Sequence, residues 1–83
     1  MTSVTIYSRP DCHLCDEMKA IVARVAGSLP LVVEQVDISG RADLEEKYGS
    51  EVPVLEVNGK KAAKYRVTED ELRRLVLGRA TRL

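Results

Sequence analysis

The sequence predicts an α/β domain, a mixed four-stranded sheet with helices on both faces, in the order β-α-β-α-β-β-α. Three observations predict it. Segments rich in β-branched residues alternate with segments of helical apolar spacing through the first half of the chain. Asn58-Gly59 then marks a two-residue hairpin between two further strands. Finally, Thr68 followed three residues later by Glu71 is the capping signature of a last helix. The whole chain, 1–83, reads as one domain.

The elements follow in order. Thr2 to Tyr7 is rich in β-branched and aromatic residues and is the first strand. Ser8-Arg9-Pro10-Asp11 breaks it. A helix runs from Cys12 or His13 to Ala26, with Gly27 as its C-cap and Met18, Ile21, Val22 and Val25 at helical spacing. Leu31–Asp37 is the second strand, and Ala42–Tyr48 a short charged helix closed by Gly49. The third strand spans Val52–Val57, opened by a proline, which strand starts tolerate. The fourth covers Lys61–Arg66, and Leu72, Leu75 and Val76 form the apolar stripe of the last helix. The first strand–helix–strand unit is a right-handed parallel crossover, and the closing hairpin is antiparallel.

With no Trp or Phe and three Tyr, the core of this 83-residue chain must be aliphatic. No signal peptide is visible at the N-terminus, and no apolar run approaches the roughly 20 residues that cross a bilayer. A cytoplasmic location is the default expectation, with no membrane partner. The 13 basic and 13 acidic residues balance, but residues 1–58 hold five Lys/Arg against ten Asp/Glu, and residues 59–83 eight against three. Two solvated faces account for this. The sharper alternative is a basic face at Lys60, Lys61, Lys64 and Arg66 that receives an acidic partner. Neutral net charge and the absence of a basic–aromatic pattern argue against nucleic acid.

The chain has two cysteines, Cys12 and Cys15. A bond between them closes a loop too small to constrain the unfolded chain much, so the pair is not a structural staple. It stands where the first strand hands over to the first helix. There, unpaired backbone N–H groups and the helix dipole stabilise a thiolate. Cys15 shares the face of Met18, Val22 and Val25, which must turn to the core, whereas Cys12 lies at the accessible tip. Cys12 is therefore the expected nucleophile and Cys15 the resolving thiol. His13 either tunes the Cys12 thiolate when protonated or simply faces solvent. Asp11, Asp16 and Glu17 oppose the thiolate, while Arg9 and Lys19 favour it. A structural zinc site needs four ligands, and one chain offers two Cys and one His, which leaves only a site shared between chains. Val52-Pro53 is either a plain strand-opening proline or a cis bond beside the cysteines.

The run Tyr7-Ser8-Arg9-Pro10-Asp11-Cys12-His13-Leu14-Cys15, with Glu51-Val52-Pro53 opening the Asn58-Gly59 hairpin, resembles the glutaredoxin-like family of the thioredoxin superfamily. The resemblance spans nearly the whole chain and implies a thioredoxin fold. It also implies that Pro53 is cis and packs on the cysteine pair, that the Val52 backbone pairs with the bound thiol compound, and that Arg9 meets a substrate carboxylate. Arg9, His13, Val52 and Pro53 thus form the expected substrate-binding set around catalytic Cys12 and Cys15. The sequence departs from glutaredoxins at His13-Leu14, where Pro-Tyr is usual, and at Glu51, where Thr is usual. It departs again at Ala62–Asp70, which has a longer strand and no Gly pair of the kind that, with a following Asp, holds glutathione in glutaredoxins. This pattern is similar to the shorter glutaredoxin-like branch.

The expected function is thiol–disulfide exchange on a protein or small-molecule disulfide. Glutathione, another low-molecular-weight thiol, or a reductase would reset the pair. No bound cofactor is expected, and the chain is expected to be a monomer. Two rival readings stand beside it: a metal or iron–sulfur carrier using Cys12 at a dimer interface, and a non-catalytic binding module of the same fold.

Overall fold

A computed structural model describes residues 2–81. The elements are β1 (Thr2–Ser8), α1 (His13–Ala26), β2 (Leu31–Asp37), α2 (Ala42–Tyr48), β3 (Val54–Val57), β4 (Lys60–Lys64) and α3 (Glu69–Thr81). The sheet order is β2-β1-β3-β4. β1 runs parallel to β2, with Thr2 opposite Leu31 and Ser8 opposite Asp37, and antiparallel to β3, with Val4 opposite Val57 and Tyr7 opposite Val54. β3 and β4 close the sheet as an antiparallel hairpin. This is the thioredoxin fold, a mixed sheet with three helices.

Strand alternation divides the core into two layers. Val4 and Ile6 of β1 and Leu55 and Val57 of β3 face α1 and α3, where they pack against Met18, Val22, Val25, Leu72 and Val76. Tyr7 and Val54, one residue out of phase, face the opposite side and pack with Ile38 and with Leu44 and Tyr48 of α2. The smaller layer carries a polar tie. The Tyr7 and Tyr48 rings stack with centroids 4.1 Å apart, and the Tyr48 hydroxyl donates to Glu56 Oε2 at 2.8 Å. Burial, reinforced by Tyr48 and by the charge of Glu56, pushes the Tyr7 hydroxyl up to about 12.

The local signals act as their chemistry requires. Asn58 and Gly59 both take positive φ, 51° and 82°, the geometry that lets a two-residue turn match the twist of its strands. Asn58 Oδ1 also accepts the Ser3 N–H at 3.0 Å, which ties the hairpin to β1. Before α3, the Glu71 N–H donates to Thr68 Oγ1 at 3.1 Å and the Thr68 N–H donates to Glu71 Oε1 at 2.9 Å, a reciprocal capping box. Thr68 N–H holds the Glu71 carboxyl below the usual carboxylate range.

Strand boundaries differ from the sequence reading by one residue at the end of β1 and the start of β4, and by two at the start of β3 and the end of β4. β3 begins at Val54 rather than Val52, because Pro53 has no N–H to give a ladder. β4 ends at Lys64 rather than Arg66, because Tyr65 takes φ 69° and turns the chain out of the extended conformation. On the β4 edge, Glu51 accepts from Lys61 Nζ and lies 3.6 Å from Lys64 Nζ, so part of the basic stretch is neutralised within the chain.

Candidate active site

β1 ends at Ser8, whose carbonyl accepts the Ile38 N–H at 2.9 Å. The chain then reverses through Arg9-Pro10-Asp11, with Asp11 at φ 54°, a region that Asp tolerates better than most residues. Cys12 follows as the N-cap of α1, in extended conformation. Its Sγ accepts the Cys15 N–H at 3.1 Å, and its carbonyl accepts the Asp16 N–H at 3.0 Å. The sulfur therefore takes the place that Ser or Asp usually fills at a helix start. One helical turn brings the Cα atoms of Cys12 and Cys15 to 5.1 Å, and the two form a disulfide. Cys15 is fully buried beside Met18 and Val22, while Cys12 is half-buried.

The second half of the site comes from the segment before β3. Val54 pairs with Tyr7 at the C-terminal end of β1, so Pro53, the residue before it, lies at the same end of the sheet as Cys12. The Val52–Pro53 peptide is cis, Pro53 is fully buried and Val52 half-buried. The Pro53 carbonyl accepts the Tyr65 N–H at 2.8 Å. Among the described residues, the Val52 backbone N–H and C=O make no hydrogen bond.

The remaining two residues of the expected set have partners within the chain. Arg9 Nη2 donates to the Gly49 carbonyl at 3.2 Å and pairs with Glu45, so its guanidinium docks on the end of α2. His13 is exposed, with Nε2 2.8 Å from Glu17 Oε2 one turn along α1. Among the described residues, no group of three or more His, Cys, Asp and Glu side chains could hold a metal ion. No described helix is long and apolar enough to cross a membrane.

Sequence reasoning missed Tyr65. It places this residue inside a strand, yet Tyr65 sits at a positive φ directly after β4, bonded to Pro53 through its N–H and to the Ser50 carbonyl through its hydroxyl at 3.1 Å. A glycine at this position would have signalled the turn; a tyrosine carries no such mark. Glu45 and Gly49, the anchors of Arg9, were also invisible, because they lie up to 40 residues from it.

A disulfide-forming cysteine pair at the start of α1, with a cis-proline at the same end of the sheet, marks a protein of the thioredoxin fold. Residues 3–77 match the model of the Glutaredoxin-like domain (DUF836), and the chain belongs to that family. Among solved structures, the X-ray structure of target protein XcR50 from X. campestris is similar. It is 32% identical, covers 90% of this chain and 96% of its own, and gives a TM-score of 0.77. Protein Ne2328 from Nitrosomonas europaea is 28% identical over 89% of both chains, with a TM-score of 0.76. A mutant thioredoxin from Halobacterium salinarum, 23% identical and matching 93% of this chain and 73% of its own, shares the fold with a TM-score of 0.65. No curated protein matches the sequence.

Proposed function

We propose that the chain is a dithiol–disulfide oxidoreductase of the cytoplasm. The observation that carries this reading is the inequality of the two sulfurs: Cys12 is half-buried at the helix cap and Cys15 fully buried behind it, within bonding reach. In the reduced protein the Cys12 thiolate attacks one sulfur of a client disulfide. A mixed disulfide forms, and the second client sulfur leaves as a thiolate. The Cys15 thiolate then attacks Cys12 Sγ, which closes the Cys12–Cys15 disulfide and releases the first client sulfur. Two electrons pass to the client, and two molecules of glutathione or another low-molecular-weight thiol, or a reductase, return them. The Cys15 N–H that meets Cys12 Sγ is placed to donate to the thiolate in the reduced state. The unbonded Val52 backbone is available to pair with the client chain beside its disulfide.

The test is reduction of hydroxyethyl disulfide by the purified protein with a regenerating thiol. Cys12→Ser is expected to abolish turnover. Cys15→Ser is expected to accumulate a mixed disulfide on Cys12, detectable by mass. Equal rates for the wild type and Cys12→Ser would overturn the proposal.

A further inference from the structure

Tyr65 stands in a conformation that a tyrosine does not favour. It follows β4 at φ 69°, and the Arg66 N–H donates to the Lys64 carbonyl at 2.8 Å. The three residues form a γ-turn of the positive-φ kind, which is rare and strained. Glycine would take this conformation without the steric penalty. Core packing does not explain the tyrosine either, because the residue is 43% exposed. Strained residues persist where the surrounding structure over-determines them, and they cluster at functional sites.

The turn aims both polar groups of Tyr65 at one segment. Its N–H donates to the Pro53 carbonyl at 2.8 Å, and its hydroxyl donates to the Ser50 carbonyl at 3.1 Å. These two carbonyls bracket Glu51 and Val52. Glu51 has ties of its own. Its N–H donates to the Tyr48 carbonyl at 2.8 Å, and its carboxylate accepts from Lys61 Nζ and lies 3.6 Å from Lys64 Nζ. Lys64 Nζ also lies 5.6 Å from the centre of the Tyr65 ring. Between residues fixed in this way, the Val52 N–H and C=O make no hydrogen bond among the described residues. The segment is ordered around one open pair of backbone groups.

We propose that Tyr65 is a positioning residue for the exchange reaction. By holding Ser50 and Pro53 together it keeps the Val52 backbone in a single arrangement, so the segment is ordered on folding and not at the moment a disulfide substrate arrives. Tyr65 acts through Val52 and takes no part in the exchange of sulfurs. The proposal rests on the oxidoreductase reading for the role of Val52. Its hold on the segment stands apart from that reading.

The experiment compares the wild type with Tyr65→Phe and Tyr65→Gly. The first keeps the ring and the backbone N–H and loses the hydroxyl; the second also relieves the strained φ. With a regenerating thiol, kcat and KM are measured on two disulfides. One is the disulfide-linked dimer of a short peptide with a central cysteine. The other is hydroxyethyl disulfide, which has no peptide group to meet Val52. In both variants KM for the peptide disulfide is expected to rise about threefold or more, within what one lost neutral hydrogen bond allows, with kcat little changed. KM for hydroxyethyl disulfide is expected to rise less. The heteronuclear NOE of the Glu51 and Val52 amides in the oxidised variants is expected to fall relative to the amides of α1. A residue that only makes the turn gives another result: Tyr65→Gly then matches or exceeds the wild type. That outcome, an equal rise for the two disulfides, a loss in kcat alone, or unchanged amide mobility would overturn the proposal. No turnover of either disulfide by the wild type ends the oxidoreductase reading instead, and the amide mobility still decides whether Tyr65 holds the segment.

Discussion

Gly49→Ala tests how the segment before Cys12 is held. Gly49 caps α2 with its N–H on the Glu45 carbonyl at 2.8 Å, while its own carbonyl accepts from Arg9 Nη2. A methyl group there would lie 2.9 Å from Arg9 Nη2, 3.2 Å from the Glu45 carbonyl carbon and in hard overlap with the Glu45 oxygen. The guanidinium can swing aside, but the Glu45 carbonyl is backbone and cannot. The last hydrogen bond of α2 must open. Overpacking of this kind costs about 2 kcal/mol. For a domain of this size that lowers Tm by about 8–16 °C. Gly27→Ala is the control: its methyl would meet only the Arg24 and Ala23 carbonyl oxygens, at 3.3 and 3.7 Å, and its Tm is expected to stay near that of the wild type. Thermal melts by circular dichroism on Gly49→Ala, Arg9→Ala and the double variant decide the matter. Because the clash is with backbone, the Gly49→Ala penalty should persist in the Arg9→Ala background. A Gly49→Ala protein melting within about 2 °C of wild type, or a penalty that vanishes once Arg9 is removed, would refute the reasoning.

Leu72 is fully buried between α1 and the sheet, so Leu72→Ala leaves a cavity worth about 2–5 kcal/mol, against a total stability of about 5–15 kcal/mol for a small domain; urea unfolding is expected to show a large fall in midpoint. The carboxyls of Asp37, Glu51 and Glu71 are all lowered in the folded protein, by the Ser39 N–H, by Lys61 and by the Thr68 N–H respectively. A lowered folded-state value favours the ionised form, so their stabilisation is present above the ordinary carboxylate range and is lost as pH falls through the folded values. Urea midpoints should therefore drop from pH 7 toward acid, with a shallower drop in Glu71→Gln, which cannot ionise.

The sheet end at Cys12 is built from segments far apart in the chain, which governs what could be read in advance. Element types were legible because they follow from short-range chemistry. β-Branched and aromatic content marks β1, Asn58-Gly59 supplies the positive φ values of the hairpin, and Thr68 and Glu71 cap each other across three residues. The placement of the cysteines was equally local: the phase of α1 that buries Met18 and Val22 also buries Cys15 and leaves Cys12 at the tip.

Arg9 shows where such reading stops. The family resemblance implies a substrate contact for Arg9, and the structure adds that its guanidinium is engaged by Glu45 and Gly49 at the end of α2. Tyr65 was placed in a strand, and its turn away from β4 depends on the hydrogen bonds to Pro53 and Ser50. The order of elements, the aliphatic core and the unequal burial of Cys12 and Cys15 were legible in the sequence, because each depends on residues within a helical turn or a hairpin of one another. What Arg9 holds and where Tyr65 turns came from the packing of distant segments. Those depend on strand register and helix docking between segments as far apart as Arg9 and Gly49, and local periodicity carries no record of them.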